Sequence, residues 1–221
     1  MNETPWKVPG KWHTSHWNFC DAAKAMYHFP EKVTFHDVTL RDGEQQAGVA
    51  FSMEQKVMIA EKLAAAGIQR IETGMPATSR VDYEAIKEMV RRKLPADLFI
   101  FSRCMVSDVD LALELGVKGI ILETPANEEL IHYGYQWESQ KAIENAISAT
   151  NKAHENGLFV VLFLIDFSRA DFGFLTNFID QVNERGYFDA LACVDTNGTL
   201  NPIGTYHLVK TIKERYPDKQ I

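Results

Sequence analysis

Leu158-Phe159-Val160-Val161-Leu162-Phe163-Leu164-Ile165, followed by Asp166, is the longest apolar run in the chain. It falls well short of the roughly 18 or more residues that a membrane-spanning helix needs. It also lacks the polar alternation of a strand with one wet face. A continuous run of β-branched and large apolar residues marks a strand covered on both faces, as in parallel sheets flanked by helices. The neighbouring sequence agrees. A helical stretch from about Ser139 to Asn156, stopped by Gly157, leads into the run, and a second helix leads away to Gly186.

The same unit repeats in both directions. Towards the N-terminus, strands are expected at Val33–Val38, Ile68–Thr73, Leu98–Ser102 and Lys118–Glu123. The intervening helices begin on Ser52, Ser79 and Ser107 and end near Gly67, Lys93 and Gly116. Ser52 with Gln55 forms a capping-box pattern, and the first helix is read through Met58, Ile59, Leu63 and Ala66. Arg91-Arg92-Lys93 suits a helix C-terminus, where cations meet the negative end of the dipole. Towards the C-terminus, Phe188–Asp195 is a sixth strand. Asn201-Pro202 then pairs a cap with a first-turn proline, and the last helix runs to about Tyr216.

Strands alternating with helices leave two architectures, an open doubly wound sheet or a (β/α)8 barrel. The open sheet calls for a glycine-rich phosphate loop after an early strand, but neither GxGxxG nor GxxxxGK[ST] occurs. Polar residues instead close nearly every strand: Arg41-Asp42, Glu72, Ser102-Arg103, Glu123, Asp166 and Asp195-Thr196-Asn197. Barrels assemble their sites in this way, from many strand ends on one rim. The reading is therefore a TIM (β/α)8 barrel with about six of its eight units in this chain, over residues 31–221. Residues 1–30 form a preceding arm dense in Trp6, Trp12, Trp17, Phe19, Tyr27 and Phe29. A seventh strand is expected to begin at Lys219-Gln220-Ile221. An arc of six strands has two bare edges, which predicts aggregation or a homo-oligomer in which a partner covers the gap.

Composition bounds the partners. The chain has 221 residues and a formal charge of −7, and its densest basic stretch is Arg91-Arg92-Lys93. This disfavours nucleic acid. No apolar signal core opens the sequence, so a membrane partner is not expected. Cys20, Cys104 and Cys193 are odd in number and widely spaced, which points to a reducing, cytoplasmic setting without a disulfide framework. Cys104 and Cys193 sit in or beside apolar strands and are expected to pack. Lys118 lies at a strand start, on the wrong rim for a Schiff base, and His132 is read as an incidental loop residue.

The chemistry concentrates in His36-Asp37-Val38-Thr39-Leu40-Arg41-Asp42-Gly43-Glu44-Gln45-Gln46, a row of ionisable and amide side chains just beyond a buried strand. On composition alone, Arg41 and Asp42 could equally form an ion pair that closes the barrel end. The stretch resembles the D-x-T-L-R-D-G-E-Q signature of the metal-dependent barrel family that includes 2-isopropylmalate, homocitrate and citramalate synthases and hydroxymethylglutaryl-CoA lyase. Arg70-Ile71-Glu72-Thr73-Gly74-Met75-Pro76 resembles that family's second strand, and Val194-Asp195-Thr196-Asn197-Gly198 its sixth.

The resemblance implies roles. Asp42 would be a carboxylate ligand of a divalent metal (Mg, Mn or Zn). Arg41 would stabilise the enolate or alkoxide oxygen. Glu72 would hydrogen-bond around the metal site, Gln45 would contact substrate or a metal-bound water, and Thr196 would bind the substrate carboxylate. The implied activity is an acyltransferase reaction in which an acyl-CoA, typically acetyl-CoA, condenses with a 2-oxo acid in amino-acid biosynthesis. A carbon–carbon lyase or aldolase of the same family and a non-catalytic barrel are the alternatives. Two departures stand out. None of the seven histidines forms the family's His-x-His pair, so metal would be held weakly by this chain. Asp166 and Ala170 stand where the family's synthases usually carry arginine and glutamate.

Overall fold

The structure is a computed structural model that describes residues 4–27 and 32–221. It divides into two compact units, with the boundary after Thr34. In the first unit, Lys7–Val8 pairs antiparallel with Trp12–His13, and a short helix follows at Asp21–Lys24. Trp6 packs against Phe19 with ring centroids 5.9 Å apart. Phe29 and the expected boundary at residue 30 lie outside the described residues.

The second unit is one parallel sheet of six strands in sequential order: β1 (His36–Asp37), β2 (Arg70–Glu72), β3 (Asp97–Arg103), β4 (Gly119–Pro125), β5 (Phe159–Ile165) and β6 (Ala190–Cys193). Its helices are α1 (Met53–Ala65), α2 (Arg80–Arg92), α3 (Val106–Leu115), α4 (Ser139–Glu155), α5 (Phe172–Arg185) and α6 (Pro202–Arg215). This is a half-barrel, six strand–helix units of a (β/α)8 fold. Gln220 makes a parallel bridge to Ala190 on the free side of β6, where a seventh strand is expected from the sequence.

The two faces of the sheet differ sharply. Leu98, Ile100, Ile120, Leu122, Val160, Leu162 and Leu164 point outward and are buried against the helices. Successive side chains on a strand alternate faces, so Phe99, Phe101, Ile121, Phe159, Val161 and Phe163 line the concave face. Phe99 is in register with Gly119, and any Cβ at Gly119 would collide with the Phe99 ring. Arg70 closes the floor, with its guanidinium 4.3 Å above the Phe159 ring and Nη1 donating to Gln220 Oε1 at 3.2 Å.

Most local signals act as read. Ser52 and Gln55 form a reciprocal capping box, Ser79 caps α2 by accepting from the Asp82 amide, and Gly116 ends α3 in the left-handed conformation. Four readings need correction. Strand one is only His36–Asp37, and Val33 and Phe35 are 60% and 61% exposed. Ser107 does not cap α3: Met105 occupies the cap position, and the Ser107 hydroxyl donates to Asp108. In α1 the buried row is Lys56, Val57, Ala60 and Ala64, while Met58 is 52% exposed. Ser102 is not a rim group, because its place in the alternation turns it to the helix side, where it is buried. Cys104 and Cys193 pack as read. Burial raises both thiols, Cys193 to about 12, so neither is a thiolate nucleophile.

Candidate active site on the strand rim

The loop after β1 is wound tightly by one acceptor. The Val38 carbonyl accepts from the amides of Arg41, Asp42 and Gly43 at 3.1, 2.9 and 3.2 Å. That turn sends the Arg41 side chain back over the concave face. Its Nε donates to Glu72 Oε2 at 2.6 Å, its Nη1 reaches Asp42 Oδ1 at 3.0 Å, and its guanidinium lies 4.1 Å above the Phe101 ring. The Arg41 side chain is 9% exposed. Nη2 donates to no other described residue. On its other side, Glu72 meets His36 Nε2 at 3.2 Å. Arg41, Asp42 and Glu72 thus form one ionic row across β1 and β2, with the His36 ring beside Glu72. The pairing of Arg41 with Asp42, one of the two sequence readings, is present, and Arg41 is at the same time aimed into the lumen.

The row rests on a buried clamp. Lys56 has no exposed surface. Its Nζ donates to the Leu40 carbonyl at 3.1 Å, to Asp82 Oδ1 at 2.6 Å and to Glu44 Oε2. Asp82 Oδ2 in turn accepts from the Met75 amide at 2.7 Å. Gly74, at φ +143, leaves the room this needs, since a Cβ there would collide with the Asp82 carboxylate. The β1 and β2 loops are therefore tied to α1 and α2 through one ammonium group.

The remaining expected residues spread along the rim. Gln45, in the Gly43–Gln45 turn, is exposed, with Nε2 3.9 Å from Met75 Sδ. Thr196 follows β6, five strands further round, and its Oγ1 accepts from the Asp166 amide at 2.7 Å. Asp166, left-handed at φ 59, is buried and takes a two-pronged contact from Arg169 at 2.7 and 2.7 Å, with Asn127 at 3.0 Å and Asn197 at 3.1 Å. The Arg169 contact holds its carboxyl below the usual range. Glu123 ends the concave face of β4 and meets the Tyr135 hydroxyl at 3.4 Å.

The sequence reading missed Lys56, Asp82 and Tyr135, and noted Glu123 only as a rim residue. Lys56 had a visible signal: it opens the i, i+4, i+8 row Lys56-Ala60-Ala64, the face that packs.

Asp42 stands alone as a metal ligand. Among the described residues no three His, Cys, Asp or Glu side chains converge so as to hold a metal. The Asp42 side chain is 61% exposed and already engaged by Arg41. One exposed carboxylate is not the donor set of a tight divalent site, so the residues described do not by themselves fit a metal centre.

A parallel half-barrel whose strand rim carries a stacked arginine, a carboxylate row and a hydroxyl has the layout of (β/α)8 barrels, which gather polar groups from many strand ends on one rim. The profile of the HMGL-like family matches residues 32–221, and the chain belongs to that family. Over 190 residues it is 33% identical to a probable 2-isopropylmalate synthase of Ignicoccus hospitalis, covering 86% of this chain and 47% of that protein. It is 36% identical over 185 residues to a putative (R)-citramalate synthase of Archaeoglobus fulgidus, covering 83% and 38%. The chain spans about half the length, or less, of the curated relatives it matches. Among solved structures, the HMG-CoA lyase of Bacillus subtilis superposes with a TM-score of 0.74 at 21% identity, covering 86% of this chain and 66% of that one. The half-barrel thus follows the fold of a family barrel.

Proposed function

We propose that this chain carries the acceptor side of the active site of a condensing synthase that joins an acyl-CoA, first of all acetyl-CoA, to a 2-oxo acid. Arg41 is the observation that carries the reading. Its position is held from two sides, by Glu72 and by the Phe101 face, and Nη2 remains to meet an oxyanion. In the bond-forming step the enolised methyl carbon of the thioester attacks the ketone carbon, and the ketone π pair moves onto oxygen. A fixed guanidinium in a low-dielectric lumen stabilises that charge without reorganising. Thr196 is suited to the substrate carboxylate: its oxygen already accepts from the Asp166 amide, which leaves its own proton to donate. Gln45, on the loop beside Asp42, would contact the bound acid.

Condensation is favoured over cleavage because the relatives at 33% and 36% identity are named as synthases. The lyases are similar at 15–21%, a likeness of fold. The test is release of free CoA thiol, as water hydrolyses the thioester of the condensed adduct, from acetyl-CoA by the natural full-length polypeptide, with Mg or Mn and a panel of 2-oxo acids. Release that depends on one oxo acid, and falls by about 100-fold or more in kcat in Arg41→Lys, supports the reading. Release independent of every oxo acid, or an Arg41→Lys variant with normal turnover, refutes it and returns Arg41 to a purely structural ion pair.

A further inference from the structure

Two carboxyl groups face the lumen from the strands, and they are held very differently. Glu72 is neutralised by Arg41 on one side and approached by His36 on the other. Among the described residues, no cation forms an ion pair with Glu123. It lies two residues beyond Ile121, whose side chain packs with Phe99 and Phe101 on the concave face, so it shares that face. In register it stands between Arg103 of β3 and Phe163 of β5. Arg103 is turned away to Asp108, at 2.8 and 3.0 Å. Arg41, stacked on Phe101, is the cation nearest enough to act on Glu123 through space. Cys104 is adjacent in the next strand turn, with its thiol buried on the helix side. The Glu123 side chain accepts from the Tyr135 hydroxyl, delivered by the π-helical turn Leu130–Gly134. Such turns are rare and frequently occur at functional sites.

We infer that Glu123, positioned by Tyr135, is the base that takes the α-proton of the acyl thioester, and this rests on the condensing reading above. The carboxylate accepts the proton, the C–H pair becomes the C=C bond of the enolate, and the thioester carbonyl pair moves onto its oxygen. Burial pushes this carboxyl up from its ordinary value, with the Tyr135 hydrogen bond and the Arg41 charge opposing. A base poised nearer neutrality is the more effective one. Glu72, tied to Arg41, cannot serve without breaking the ionic row.

The natural full-length polypeptide is assayed with acetyl-CoA in D2O for deuterium entering the acetyl methyl, and separately for condensation with 2-oxo acids. Glu123→Gln is expected to lower both by about 100-fold or more, with KM little changed. Tyr135→Phe is expected to stay active while the acidic limb of its pH–rate profile moves to higher pH, because the bond that favours the charged carboxylate is gone. A Glu123→Gln variant within about threefold of normal exchange, or a Tyr135→Phe limb that does not move, overturns the assignment. Exchange that persists without any condensation would instead defeat the condensing reading and leave Glu123 standing as the base. If the unmodified enzyme neither exchanges nor condenses, both are overturned.

Discussion

Lys56→Met tests the clamp beneath the site. The substitution conserves side-chain length and removes only the ammonium. What remains are two carboxylates facing a dry space: Asp82, whose side chain is 9% exposed, and Glu44, at 22%. Removing one partner of a buried ion pair costs about 3–5 kcal/mol, most of it the desolvation of the charge left behind. Each orphaned carboxylate keeps one backbone donor, Met75 N for Asp82 and Phe51 N for Glu44, both at 2.7 Å. That places the loss at the lower end, about 3 kcal/mol, or a fall of about 6–12 °C in Tm for a unit of this size. Urea unfolding followed by circular dichroism reads it directly. A loss below about 1 kcal/mol would match an exposed pair and refute the buried-clamp reasoning. The triple variant Lys56→Met, Glu44→Gln, Asp82→Asn supplies the control, since neutralising all three groups should recover at least about 1 kcal/mol of the loss.

Calorimetric titration of the 221-residue chain with Mg, Mn or Zn should show only weak binding, because one exposed carboxylate, Asp42, is a poor donor set. A tight stoichiometric site abolished by Asp42→Ala would reveal ligands elsewhere in these residues. The Asp195 carboxyl is lowered to about 2, chiefly by the Ser168 hydroxyl and then by the Leu200 amide. A depressed carboxyl stabilises the fold above its unfolded pKa, near 3.9, and loses that contribution as pH falls towards about 2. Asp195→Asn should therefore destabilise at pH 7, and the gap from the parent chain should close between about pH 4 and pH 2. A gap that does not change with pH would refute the assignment. The bare outer edge of β1, and that of β6 beyond the Gln220 bridge, should make the purified 221-residue chain self-associate in dilute solution. A monodisperse monomer by light scattering would show that these edges are covered.

What could be read from the sequence were the features set by neighbours along the chain. Caps at Ser52, Ser79 and Asn201, the left-handed stop at Gly116 and the strands from apolar runs all depend on residues within a few positions of each other. The parallel order of six strands followed from their alternation with helices, and the motif around Arg41 and Asp42 marked the rim that carries the candidate site. Tertiary structure decided which charges meet. Lys56 joins Leu40, Glu44 and Asp82, positions up to 26 residues away, and only the stacking of α1 beside α2 brings them together. Curvature of the sheet lays Arg41 over Phe101, 60 residues on, and against Glu72. The alternation of β4 turns Glu123 to the concave face, while that of β3 sends Ser102 outward to the helices. Local patterns record which face of a strand or helix is dry. Partners across a lumen depend on how strongly the sheet bends, and that is a property of the whole arc of strands.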